Sequence, residues 1–167
     1  MMTLITGGRD AGKTSTAIKM AKQIEAKRYY VATARNLDEE MDEKIKRHRL
    51  QRENKFVTVE EPISVAEALK NIDKDSVVVL DCLTMWVANM IFADKEELIF
   101  EQADKIIKEL SLFQYAFAIT NEVSLGIIPE NKLSRKYSSF LGQINKLFAS
   151  LSDTVLLMID GIPLKIK

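Results

Sequence analysis

The apolar run Met2-Thr3-Leu4-Ile5-Thr6 leads directly into Gly7-Gly8-Arg9-Asp10-Ala11-Gly12-Lys13-Thr14. This is the G-x-x-x-x-G-K-[ST] spacing, and the spacing has a mechanical reason. Glycines allow consecutive backbone N–H groups to turn inward on a phosphate, Lys13 adds a point charge, and the Thr14 hydroxyl is placed to ligate Mg²⁺. A helical pattern follows at once (Ala17, Met20, Ala21, Ile24), so a helix N-terminus points its positive end at the same anion. Strand, glycine loop and helix in that order predict a chain that binds a nucleoside triphosphate.

The rest of the chain alternates in the same way. Extended runs are expected over residues 28–33, 56–59, 77–80, 116–119 and 155–159, and helices over 13 to about 26, 38–51, 64–71 (capped by Ser64), 83–92, 96–112 and 131–151. The longest helix, last in that series, is expected to lie against the sheet, and residues 162–167 to return beside the final strand as a hairpin. Val77-Val78-Val79-Leu80 has no polar interruption, which marks a central strand buried on both faces. Alternation of this kind predicts an α/β fold: one mostly parallel sheet with helices on both faces, ligands binding beyond the carboxyl ends of its strands.

Composition narrows the function classes. At 167 residues the chain reads as one domain, residues 1–167, with no repeat or linker. Lys and Arg total 24, as do Asp and Glu, so no global field selects nucleic acid or an anionic membrane. One cysteine, Cys82, cannot form an internal disulfide. No apolar stretch reaches membrane-spanning length, and the N-terminus runs straight into a strand. Cytoplasm is the expected compartment.

Beyond the loop, Asp81 ends the run Val77-Val78-Val79-Leu80, where an acidic residue can hold the Mg²⁺ shell of a bound triphosphate or cap the next helix. Cys82 and Trp86 read as packing residues. His48, the single histidine, lies in Lys46-Arg47-His48-Arg49-Leu50-Gln51-Arg52. It continues the helical line of Met41 and Ile45, which suits a partly buried histidine beside a solvated basic face. The same cations oppose protonation of the imidazole and attract polyphosphate, which suits a nucleophile. The residues alone leave both readings open. Thr33-Ala34-Arg35 and Glu60 stand at strand ends, where Arg35 can pair with phosphate and Glu60 can accept from a guanine edge.

The chain resembles the bifunctional cobinamide kinase and cobinamide-phosphate guanylyltransferases of cobalamin biosynthesis. The likeness runs through the loop, Tyr30-Val31-Ala32-Thr33-Ala34, Ile45-x-x-His48-x-x-x-Arg52 and Thr58-Val59-Glu60-Glu61-Pro62. It continues through Leu80-Asp81-Cys82-Leu83-Thr84-Met85-Trp86, Thr120-Asn121-Glu122-Val123-Ser124-Leu125-Gly126-Ile127-Ile128-Pro129-Glu130-Asn131 and the Gly161-Ile162-Pro163-Leu164-Lys165 ending. The resemblance implies a RecA-like P-loop NTPase fold, a homotrimer, and two reactions using GTP or ATP with Mg²⁺. One phosphorylates the aminopropanol hydroxyl of adenosylcobinamide. The other passes GMP from GTP through a guanylylated histidine to adenosylcobinamide phosphate. Carried onto this sequence, the histidine is His48, and the catalytic lysine of the loop is Lys13. The GTP-contacting positions are the loop (Gly7 to Thr14), Thr33, Ala34, Arg35, Arg49, Leu50, Gln51, Arg52, Glu60 and a residue at Asp81 or Cys82; Thr14 and Asp81 serve the metal. The chain departs from the family pattern at Arg47, where a second histidine is usual, at Arg9-Asp10-Ala11 in the loop, at Tyr137-Ser138-Ser139, and at Phe56.

Overall fold

The computed structural model describes residues 1–35, 43, 50, 52 and 55–167. The helix expected over 38–51, with His48, Arg49 and Gln51, lies outside these but for Glu43 and Leu50, both helical. Seven strands form one sheet: β1 Met2–Gly7, β2 Arg28–Ala32, β3 Val57–Glu60, β4 Val77–Asp81, β5 Tyr115–Ile119, β6 Thr154–Ile159 and β7 Ile162–Lys165. Their order is β3-β2-β4-β5-β1-β6-β7, parallel throughout except for β7, which pairs antiparallel with β6. The turn between them is Asp160-Gly161, at φ 49° and 84°. Positive φ at both central residues is what a tight hairpin turn with right-handed strand twist demands, and Asp-Gly supplies it cheaply.

Consecutive side chains of a strand leave opposite faces, so a continuous apolar run builds two cores at once. Ile5, Tyr30, Val77, Val79, Phe117 and Ile119 face one way and are covered by helix α1 (Lys13–Lys22) through Ala17, Ile18 and Ala21. Leu4, Val31, Val78, Leu80, Ala116 and Ala118 face the other way. There they meet four helices: α2 (Val65–Lys70), α3 (Leu83–Phe92), α4 (Ile99–Ser111) and α5 (Lys132–Leu151). Trp86 of α3 is fully buried there, its indole N–H donating to the Ile63 carbonyl at 3.0 Å.

Several element ends differ from the sequence expectation. Helix α1 stops at Lys22 rather than near residue 26, because the Arg28 guanidinium reaches back and takes the carbonyls of Ala21, Lys22 and Ile24. The expected helix over 96–112 is a 3₁₀ turn, Glu96–Leu98, followed by α4. Ser64 precedes α2, but its side chain makes no capping bond; the Glu61 carboxylate accepts instead from the N–H groups of Ile63 (2.9 Å) and Ser64 (2.7 Å). The long helix α5 packs mainly on α3 and α4 rather than directly on the sheet, burying Leu141, Ile144 and Phe148 and leaving Leu133 and Leu151 exposed. Its N-terminus is capped by Asn131, whose side chain accepts from Ser134 N–H at 3.1 Å.

Candidate active site

The loop between β1 and α1 stands at the carboxyl end of the sheet. Gly7 has φ 146°, and a Cβ there would lie 2.5 Å from the Met158 carbonyl oxygen, so no larger residue fits. Gly12 at φ 87° is the left-handed residue that turns the chain into α1. Asp10 also takes positive φ, 57°, and forms an ion pair with Arg9 at 3.5 Å on the exposed tip. An exposed pair of this kind contributes about 0–1 kcal/mol. Ala11 N–H bonds the Gly8 carbonyl at 3.4 Å.

Lys13 is only 8% exposed and its ammonium donates to the Gly8 carbonyl within the loop. A buried ammonium held by a carbonyl is prepared for an anion, since a phosphate oxygen offers it a stronger partner than the peptide group does. Next to it, the Thr14 hydroxyl donates to Asp81 Oδ2 at 2.8 Å, across the end of β5, which separates β1 from β4. By position the cap of α3 is Cys82, whose side chain makes no capping bond.

A second hydroxyl meets the same carboxylate oxygen. Tyr30, on β2, is 2% exposed and donates its phenol to Asp81 Oδ2. Burial, then the neighbouring carboxylate, raises the Tyr30 phenol well above its ordinary value, against a smaller lowering by Arg52. The Arg52 guanidinium lies 4.1 Å from the centre of the Tyr30 ring and Phe56 meets the ring edge-on at 6.4 Å. Arg52 is itself 5% exposed, so its cation–π contact is made out of water, where such contacts are strongest. Sequence reasoning gave Tyr30 no task. The available signal is a tyrosine next to Val31 at the inner part of β2, where a buried phenol must find a partner.

The other expected residues divide by position. The Thr33 hydroxyl donates to the Cys82 carbonyl (2.7 Å) and accepts from Cys82 N–H (2.8 Å), so its bonds tie β2 to β4. Asn89 donates to the Thr33 carbonyl (2.8 Å) and the Pro62 carbonyl (3.1 Å). Ala34 and Arg35 follow at the same end of β2, half-buried. Glu60 closes β3, the opposite edge of the sheet, four strand spacings or about 19 Å from β1. Leu50 is exposed.

The residues present suit a small hard cation. A hydroxyl and a carboxylate oxygen 2.8 Å apart beside a phosphate loop are the oxygen donors that magnesium takes along with substrate phosphates. Among the described residues no cluster of three or more His, Cys, Asp or Glu side chains forms.

Comparison with known proteins decides the family. The sequence model described as cobinamide kinase / cobinamide phosphate guanyltransferase matches residues 3–166. The chain belongs to this family. Curated members similar to it include the bifunctional adenosylcobalamin biosynthesis protein CobU of Salmonella typhimurium, 33% identical with both chains covered completely. The bifunctional adenosylcobalamin biosynthesis protein CobP of Pseudomonas aeruginosa is 30% identical over all of this chain and 98% of its own. Among solved structures the fold is similar to the RadB recombinase (TM-score 0.56, 12% identity, 93% of this chain and 73% of that one). It is also similar to an ATPase of a type III secretion system (TM-score 0.62, 10% identity, 93% and 50%). These likenesses confirm the RecA-like P-loop architecture expected of a cobinamide kinase / cobinamide phosphate guanyltransferase.

Proposed function

We propose that this chain is a bifunctional enzyme, residues 1–167 acting as one nucleotide-binding catalytic domain. It phosphorylates the aminopropanol hydroxyl of adenosylcobinamide. It also transfers GMP from GTP to adenosylcobinamide phosphate, giving adenosylcobinamide-GDP. The observation that carries the reading is the Thr14–Asp81 pair beside the closed lysine loop, in a chain that matches the family from end to end.

In the kinase step the loop N–H groups and Lys13 hold the β- and γ-phosphates of a nucleoside triphosphate. Thr14 and Asp81 would hold Mg²⁺, which when bound neutralises charge on those phosphates. The acceptor oxygen bonds to the γ-phosphorus and the nucleoside diphosphate departs. In the transferase step His48 attacks the α-phosphorus of GTP, the bond to the bridging oxygen breaks and pyrophosphate leaves. GMP stays on the imidazole nitrogen until the phosphate of adenosylcobinamide phosphate displaces it. Arg49 and Arg52 favour the neutral imidazole and stabilise the developing charge. Glu60 accepts from the guanine edge. The working assembly on this reading is a homotrimer in the cytoplasm.

GTP labelled at the α-phosphate should leave label on the protein that is lost in acid and kept in base. A His48→Ala variant should take up none. Label that persists in that variant overturns the assignment.

A further inference from the structure

The sheet order places β5 between the strand that carries Asp81 and the strand that feeds the phosphate loop. Thr14 and Asp81 meet across its end. What stands at the carboxyl end of β5 therefore stands between the two halves of the site.

That end is fixed from three sides. Thr120 N–H bonds the Ile5 carbonyl and Glu122 N–H bonds the Gly7 carbonyl, both at 3.0 Å, so the chain runs beside β1 up to the first residue of the loop. Asn121 N–H donates to the Thr84 hydroxyl of α3 at 2.7 Å. Asn145 of α5 accepts from the Thr120 hydroxyl at 2.6 Å and donates to the Asn121 carbonyl at 2.9 Å. Past Ser124 the chain is exposed through Ile128. Glu122 is the last residue held against the loop strand, and its carboxylate is oriented by Ser124, whose N–H and hydroxyl both donate to Oε1.

Other carboxylates at this end of the sheet are less suited to serve an acceptor. Asp81 meets the Thr14 hydroxyl and is assigned to the metal, Asp10 pairs with Arg9 on the exposed tip, and Glu60 closes the far edge strand. Asp160 occupies the exposed β6–β7 turn.

We propose that Glu122 is the general base of the kinase step, a catalytic residue that takes the proton of the acceptor alcohol; this rests on the kinase half of the reading above. The alcohol O–H proton passes to the Glu122 carboxylate as the oxygen bonds to the γ-phosphorus. The bond from that phosphorus to the bridging oxygen breaks, and its electron pair leaves with the nucleoside diphosphate. Attack of a neutral imidazole on the α-phosphorus releases no proton in the same place, so only one half-reaction needs Glu122.

The test is Glu122→Gln, assayed with γ-labelled GTP plus adenosylcobinamide and, separately, with α-labelled GTP alone. Phosphate transfer should fall about 100-fold or more while protein labelling stays within about twofold. Equal loss of both half-reactions, or an unchanged kinase rate, overturns the proposal. Thermal midpoint and GTP binding are followed in parallel. If the glutamine variant does not fold, Glu122→Asp is read instead: a reduced kinase rate with intact labelling supports the role, and parallel loss in both assays defeats it. Wild-type protein that transfers neither group defeats the bifunctional reading itself, whereas an active wild type with a fully active glutamine variant defeats this inference alone.

Discussion

Replacing Tyr30 by Phe removes one hydroxyl from the half-buried Asp81 carboxylate and leaves the ring that Arg52 and Phe56 pack against. A hydrogen bond to a charged group contributes about 1.5–3 kcal/mol. Asp81 retains the Thr14 hydroxyl, so the lower end applies and the variant should be about 1.5 kcal/mol less stable at pH 7. The difference then changes with pH in a calculable direction. Tyr30 in the folded protein holds its proton well above the value of a free phenol, about 10. Below that value both states are protonated and the wild type keeps its full advantage. Above it the unfolded chain ionises while the folded one does not, and the wild type loses about 1.4 kcal/mol per pH unit that the Phe variant cannot lose. The remaining ionisable groups are common to both proteins and cancel. The two stabilities should therefore cross about one unit above the free phenol, near pH 11. Urea unfolding followed by fluorescence of Trp86, the single tryptophan and fully buried, measures this at pH 7, 9, 10.5 and 11.5. A stability difference that stays constant across that range would refute the buried, proton-holding phenol, and with it the anchoring of Asp81 by Tyr30.

Two further substitutions test how the loop and its neighbour are held. Gly7→Ala drives a methyl to 2.5 Å from the Met158 oxygen at φ 146°, and should cost about 3 kcal/mol. Gly8→Ala, with nothing within 4 Å of the added carbon, should cost under about 1 kcal/mol; equal losses by urea unfolding would mean the close approach is not the constraint. Asn145→Ala leaves the Thr120 hydroxyl and Asn121 carbonyl without their partner and should cost about 2 kcal/mol, with faster amide exchange at Asn121 and Glu122. Unchanged exchange there would show that α5 does not hold the end of β5.

What could be read from the sequence was what local pattern encodes. The phosphate loop, the doubly buried run at Val77-Val78-Val79-Leu80 and the return of the chain after Ile162 as a hairpin each follow from local pattern, and each appears where expected. Asp81 was legible because it ends a strand. The rest depends on partners distant in the chain. Arg28 ends α1 by donating to carbonyls that helical periodicity treats as continuing. Tyr30 finds Asp81 through strand pairing that places Ala32 opposite Asp81 and Tyr30 opposite Val79 on the same face of the sheet. Asn145, deep in a helix whose apolar spacing drew attention elsewhere, grips a strand end more than twenty residues earlier. Glu60 reads from the sequence as a strand-end carboxylate, but its place on the edge strand, with β2, β4 and β5 between it and the loop strand, emerges only from strand order.

That strand order bears on how one loop can serve two bond cleavages. Cleavage at the γ-phosphorus needs an acceptor near Lys13, Thr14 and Asp81, all of which are fixed by burial or by hydrogen bonds in the protein alone. On the proposed reading, cleavage at the α-phosphorus needs a nucleophile farther along the same nucleotide, and a base held by Glu60 would put that nucleotide across β2 and β3, the strands on that side of the sheet. Arg52 is buried on that side, against Tyr30 of β2. Tyr30 touches both sides of this arrangement: its hydroxyl meets Asp81 and its ring the buried Arg52 guanidinium. A buried guanidinium stacked on that ring thus stands on the β2 side of the loop, the side on which the proposed second reaction needs its positive charge.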